Sequence, residues 1–183
     1  MAFDQETHVF GVRDCKIALL SDDSGAAPTY DAFVDVPGIQ EVTLGFDFTE
    51  KELKGDDIIL DTRSTLDSIT AKVSHAEINL DALPVILGGT TTVSGTTPNK
   101  SYSYNRLGTD SIPYFKIEAQ VCYVDEDDAD MHLVLYKSRI TDHEVGATGE
   151  DYKAVSFSAK AIPCKSNNML YTLAMNETAV TIS

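Results

Sequence analysis

Polar and apolar residues alternate along much of this chain, and that alternation predicts strands. In IQEVTLGFDF (39–48), Val42, Leu44, Phe46 and Phe48 fall on one face, with Glu41, Thr43, Gly45 and Asp47 on the other. LDSITAKVSHAEI (66–78) divides the same way, Ile69, Ala71 and Val73 against Ser68, Thr70, Lys72 and Ser74. YFKIEAQVCYV (114–124) gathers Phe115, Ile117, Ala119, Val121 and Tyr123 on one side, and YKAVSFSAKAIP (152–163) turns Val155, Phe157, Ala159 and Ala161 inward. HVFGVRDCKIALL (8–20) and MLYTLAMN (169–176) are further strands. MHLVLYKSRI (131–140) is apolar on both sides, which predicts a strand covered on both faces. TTTVSGTTPNKSYSYN (90–105) reads as a polar hairpin around a Gly…Pro-Asn centre.

One segment has helical character. In NLDALPVILGG (79–89), Asn79 or Asp81 serves as N-cap and Pro84 falls in the first turn. Leu80, Leu83 and Leu87 share a side, and Gly88-Gly89 ends the helix. SDDSGAAPTYD (21–31) reads as a loop from its Gly, Pro, Ser and Asp content. EKELKGDDIILDTRS (50–64) separates the two most regular strands. Its acids are interleaved with Lys51, Lys54 and Arg63, and Gly55 marks a sharp turn, so it reads as a solvated loop. Strands at regular spacing with one short helix predict a mostly β chain. The expected architecture is a single antiparallel β-sandwich or partial barrel spanning residues 1–183, with the helix on its flank.

Composition narrows what such a domain does. At 183 residues, with 43% hydrophobic residues, the chain buries a core without staples. Twenty-nine acids against fourteen Lys and Arg give a formal charge of −15. That balance repels phosphate and anionic lipid, which disfavours classical nucleic-acid binding and docking on membranes. MAFDQETHVF has neither a basic nor an apolar leader region, and no apolar run approaches the ~20 residues of a membrane-spanning helix. Cys15, Cys122 and Cys164 are odd in number and far apart, so they read as small buried or half-buried thiols in a reducing compartment.

Candidate chemistry is sparse. The chain has no Gly-rich phosphate loop, no GxSxG and no HExxH. His8, His75, His132 and His143 stand in separate segments without ligand spacing. DEDDAD (125–130) lacks the central Gly and terminal Glu of an EF-hand and reads as a solvated acidic turn. Asp56-Asp57 sits on a lysine-flanked loop, whereas paired carboxylates do acid–base work inside a cleft that shifts their pKa. No catalytic, metal or cofactor site is expected.

The order of segments is the distinctive feature. Pro37-Gly38 opens the first regular strand, a charged loop ends in Gly55-Asp56-Asp57, a short helix ends at Gly88-Gly89, and Ala161-Ile162-Pro163 lies near the end. In this order, over about residues 10–175, the chain resembles the major tail tube proteins of long-tailed (siphovirus-type) bacteriophages.

The resemblance implies a structural virion protein. Subunits would close into hexameric rings sharing a continuous inner β-barrel, and rings would stack into a tube that delivers genome DNA. Partners would be further copies of the chain, with tape measure, terminator or tip proteins. DNA would pass without specific binding, nothing would insert into a membrane, and the tail would assemble in the host cytoplasm. Under this reading Glu41, Thr43, Asp47, Ser68, Thr70, Lys72 and Ser74 line the lumen; without it, they are simply a solvent-facing side of a sheet. Glu50, Lys51, Glu52, Lys54, Asp56, Asp57, Asp61 and Arg63 form the loop between stacked rings. The competing readings are a tail terminator or secretion-tube ring, a glycan- or receptor-binding β-sandwich using Tyr102 and Tyr104, and a Ca²⁺ module using DEDDAD.

Overall fold

A computed structural model describes residues 9–56, 58–123, 129–146, 149 and 154–182. The strands are β1 (Val9–Asp22), β2 (Thr29–Tyr30), β3 (Val34–Asp35), β4 (Ile39–Gly55), β5 (Ile58–His75), β6 (Thr90–Ser94), β7 (Ser101–Asn105), β8 (Phe115–Tyr123), β9 (Asp130–Glu144), β10 (Val155–Ala161) and β11 (Tyr171–Asn176). One helix, α1 (Ala82–Leu87), lies between β5 and β6. It is too short to cross a membrane, as is any other helix among the described residues.

Nine strands form one antiparallel sheet in the order β2-β1-β8-β9-β10-β5-β4, with β3 added to β1 and β11 to β9; β6 and β7 pair separately. The sheet is open: β4 ends it and, among the described residues, bonds only to β5. Strand β9 is long enough to serve two neighbours in succession. Its first half pairs with β11, from Asp130 to Leu135, and its second half with β10, from Ser138 to Glu144.

The inward faces are those that the alternation picks out. Cys15 and Ile17 of β1 meet Ile69, Ala71 and Val73 of β5, Phe115, Ile117 and Ala119 of β8, and Phe157, Ala159 and Ala161 of β10. Leu133 and Leu135 of β9 and Ala82, Val85 and Ile86 of α1 complete this cluster. Phe157 stands edge-on to Phe115 at 6.4 Å between ring centroids. Burial of each Val, Ile, Leu or Phe side chain here stabilises the fold by about 1.5–3 kcal/mol. All three cysteines are free; Cys15 and Cys164 are buried and Cys122 is half-buried. Burial, with Asp14 and Asp35 nearby, pushes the Cys15 thiol up to about 12, so it is inert as a nucleophile.

One alternative is decided and two expectations change. Of the two N-cap candidates Asp81 holds the position, so the helix covers 82–87 and ends at Gly88 as expected, while Asn79 is spent outside it. Its Nδ2 donates to the Asp35 carbonyl at 2.9 Å and its Oδ1 accepts from the Asp81 N–H. Asp81 occupies the N-cap without a side-chain cap bond. Gly89, at φ +90°, turns the chain toward β6 where any Cβ would meet the Asn105 carbonyl at 2.5 Å.

Phe46 and Phe48 do not enter the core. Both are exposed, Phe48 by 60%, because β4 runs past the edge of the cluster. The second change concerns 49–64, which is not a loop. Strands β4 and β5 stay paired through it as far as Gly55 opposite Ile58.

Candidate functional site: a two-faced hairpin arm

Strand β10 supports β5 only from Ile69 to His75, so residues 58–68 have, among the described residues, β4 as their one strand partner. Eleven residues at about 3.3 Å each make a two-stranded arm on the order of 35 Å long. Residues 48–56 and 58–65 are exposed apart from half-buried Gly55; Asp57 lies outside the described residues. Asp56 takes φ +47° at the tip, a left-handed conformation that Asp tolerates.

Register assigns every side chain of the arm to a face. Glu41 lies opposite Ser74, Thr43 opposite Lys72, Gly45 opposite Thr70 and Asp47 opposite Ser68. The seven positions expected to line a lumen therefore share one face of one hairpin. They are not equally available. Glu41, Thr43, Asp47 and Lys72 are exposed, Thr70 and Ser74 are half-buried, and Ser68 is buried. The Ser68 and Thr70 hydroxyls donate to Asp47 Oδ2 at 2.9 and 3.1 Å and hold its carboxyl below the usual range. Thr43 donates to Glu41 Oε1 at 2.8 Å.

The same face continues across the sheet. Ser156, Ser158 and Lys160 of β10 lie opposite Ser74, Lys72 and Thr70, and Asp142 and Glu144 of β9 extend it. Lys72 is thus not a lone cation on an acidic wall: Lys160, opposite Thr70, lies diagonal to it on the same face, which is of mixed charge.

A bulge between Asp47 and Phe48 leaves Asp67 without an opposite residue. Beyond it the parity of β5 inverts, and Thr65, Arg63 and Asp61 join the polar face opposite Thr49, Lys51 and Leu53. Thr49 donates to Asp67 there. Lys51, Arg63 and Asp61, expected to form a stacking loop, therefore belong to the same face as the lining candidates. Glu50 and Glu52 point the other way, with Phe48 and Leu66. Lys54 sits beside Glu52 at 2.9 Å. Five large apolar residues on the arm, Phe48, Leu53, Ile58, Ile59 and Leu60, are exposed. One side of the arm is thus basic around Lys51 and Arg63, the other acidic around Glu50 and Glu52, and the tip is apolar.

The remaining candidates lie elsewhere. Tyr102 is exposed, with Lys100 over its ring at 4.8 Å, but Tyr104 is half-buried and its hydroxyl is bound to the Gly88 carbonyl. Of DEDDAD, residues 125–128 lie outside the described residues. Asp130 is buried, and its oxygens accept from Gln120, Asn176, the Val180 N–H and His132. Those donors leave it no role as a calcium ligand. His75 and His143 line a small apolar cavity under α1 with Val36, Ala82 and Ile86, and burial lowers the His143 pKa.

His132 is the residue that its sequence setting conceals. It is buried on the outer face of β9 among polar partners, where spacing predicts an unremarkable strand histidine. Lys137 is also buried. Its Nζ lies 2.6 Å from Asp23 Oδ2 and 5.0 Å from the Tyr114 ring centroid.

No protein-family model matches this chain, and no curated protein is significantly similar to it.

Proposed function

We propose that this chain is a structural subunit that polymerises into a hollow tube of stacked hexameric rings, like the phage tail tube proteins that its segment order resembles. The observation that carries the reading is the β4–β5 arm. It combines a 17-residue edge strand, one continuous polar face and an exposed apolar tip. A free edge of that length is an aggregation hazard unless another chain completes it. Pairing of the β4 edge with a neighbouring copy removes the hazard, extends the open sheet toward a closed inner barrel, and covers Phe46 and Phe48.

In such a barrel the polar face of β9, β10, β5 and β4 lines the lumen. Glu41, Asp47, Asp142 and Glu144 stand against Lys72, Lys160 and exposed Arg139, which lies opposite Lys160, so the wall is close to neutral. A basic wall would exchange counterions for phosphate contacts and hold the duplex. A balanced one, screened over roughly 8 Å at physiological salt, lets it slide. The arm beyond Asp67 reaches the adjacent ring. Its basic and acidic sides are complementary to each other, which suits a head-to-tail contact that repeats without closing.

Shortening the arm tests this reading. Replacement of residues 49–64 by a two-residue turn is expected to give a folded chain that no longer polymerises. Normal tubes from the shortened chain would overturn it.

A further inference from the structure

We propose that His132 is a proton-operated latch for the C-terminal strap, residues 177–182, holding it on the outer face of the sheet when doubly protonated and releasing it when neutral.

The geometry requires both ring protons. Nδ1 lies 2.9 Å from Glu118 Oε1, and Nε2 lies 2.8 Å from the Val180 carbonyl and 3.1 Å from Asp130 Oδ2. Every one of these atoms is an acceptor. A neutral imidazole has a single N–H and would turn a lone pair on either a carboxylate or the strap's carbonyl. Only the imidazolium satisfies both sides.

Charge leads to the same conclusion. Asp130 faces His132 from its own strand and Glu118 from β8; Lys116 binds the second Glu118 oxygen at 2.7 Å. Two carboxylates against Lys116 and a protonated His132 sum to zero, whereas a neutral ring leaves a net negative charge in a largely buried site. From β1, Lys16 donates to the Ile182 carbonyl at 2.7 Å and lies 3.7 Å from Asp14. From β11, Asn176 faces the cluster through the Asp130 carboxyl. Burial pulls the His132 pKa down, but Glu118, the Val180 carbonyl and Asp130 outweigh it and hold the ring above its ordinary value.

The strap depends on this cluster. Val180 donates its N–H to Asp130 Oδ2 at 2.9 Å, and its carbonyl accepts from His132 and from Gln120 Nε2 at 3.1 Å. Ile182 is buried at its far end. Loss of one proton removes the Nε2 donor or leaves Nδ1 opposing Glu118, and the released strap bares the outer face of β8 and β9. A folded-state pKa above the free value gives stabilisation that is complete below the free value, about 6.5. It is lost as pH rises through the latched pKa.

Hydrogen exchange at the Val180 amide, corrected for the intrinsic rate, reads the latch in the full-length protein while NMR of the His132 ring reports its titration. Protection is expected to fall by about tenfold per pH unit from pH ~6.5 up to the ring's own pKa and to level off above it. Core amides such as Leu135 should keep theirs. Glu118→Gln should lower the ring pKa and shorten the fall, and His132→Gln should make protection low and independent of pH. Flat Val180 protection in the wild-type protein, a ring titrating at or below the ordinary value, or core amides losing protection in parallel would each overturn the latch. None of these outcomes depends on tube formation.

Discussion

Lys51 and Arg63 face each other directly across the β4–β5 arm, on the polar face that also carries Asp47 and Lys72. Opposed like charges destabilise an isolated hairpin by up to about 1 kcal/mol. The pair therefore serves the subunit's own stability poorly and suits contact with another chain's acids. Lys51→Glu should leave the monomer's melting temperature unchanged or raise it, since repulsion becomes attraction. The double variant Lys51→Glu, Lys54→Glu should nevertheless stop tube growth. A folded double variant that forms tubes of normal length would remove the arm from ring stacking.

The arm should also report assembly through proteolysis. A two-stranded ribbon without a third strand is marginal in water. Trypsin should cut at Lys51, Lys54 or Arg63 in the free subunit, and these sites should be protected in tubes. Equal cleavage in both states would show that the arm stays outside the contacts.

Charge on the lining face governs transit. Glu41→Lys with Asp47→Lys adds two cations beside Lys72 and Lys160, converting a balanced wall into a basic one. Tubes should still form, but should retain duplex DNA at low salt and release it as salt rises, and ejection through them should slow. DNA transit unchanged by the double substitution would place this face outside the lumen.

Asp23 anchors the turn at Lys165 and Ser166, accepting from both backbone N–H groups. Burial alone would raise its pKa, but the Lys137 ammonium and the Lys165 and Ser166 N–H groups outweigh that and hold it well below the usual carboxylate range. A depressed folded-state pKa contributes stability that is present above the unfolded value, about 3.9, and lost as pH falls toward the folded one. Asp23→Ala leaves Lys137 buried without its carboxylate and should cost about 3 kcal/mol in urea unfolding, with a smaller loss of stability in acid than the wild-type protein shows. A cost below about 0.5 kcal/mol would mean that Lys137 finds another partner.

Strand identity and facing were legible wherever one face is buried, because a core selects a period of two. That is why Ile69, Ala71 and Val73 were assigned inward and Ser68, Thr70, Lys72 and Ser74 together on the other side. The arm carries no such signal. Between residues 49 and 65 neither face is buried, so its charges follow no period and the paired strands read as a loop. The bulge at Asp67 then inverts the parity of β5, which no alternation rule foresees from one strand alone. His132 and Lys137 were missed for a different reason. Asp130 apart, their partners lie 14, 48 and 114 positions away along the chain, and only the fold brings them together.

Electron microscopy of the purified, unmodified protein in negative stain tests the central claim most directly. Hollow tubes built from stacked rings of six subunits are the predicted result, and a population that stays monomeric, or closes into single rings without stacking, would contradict it.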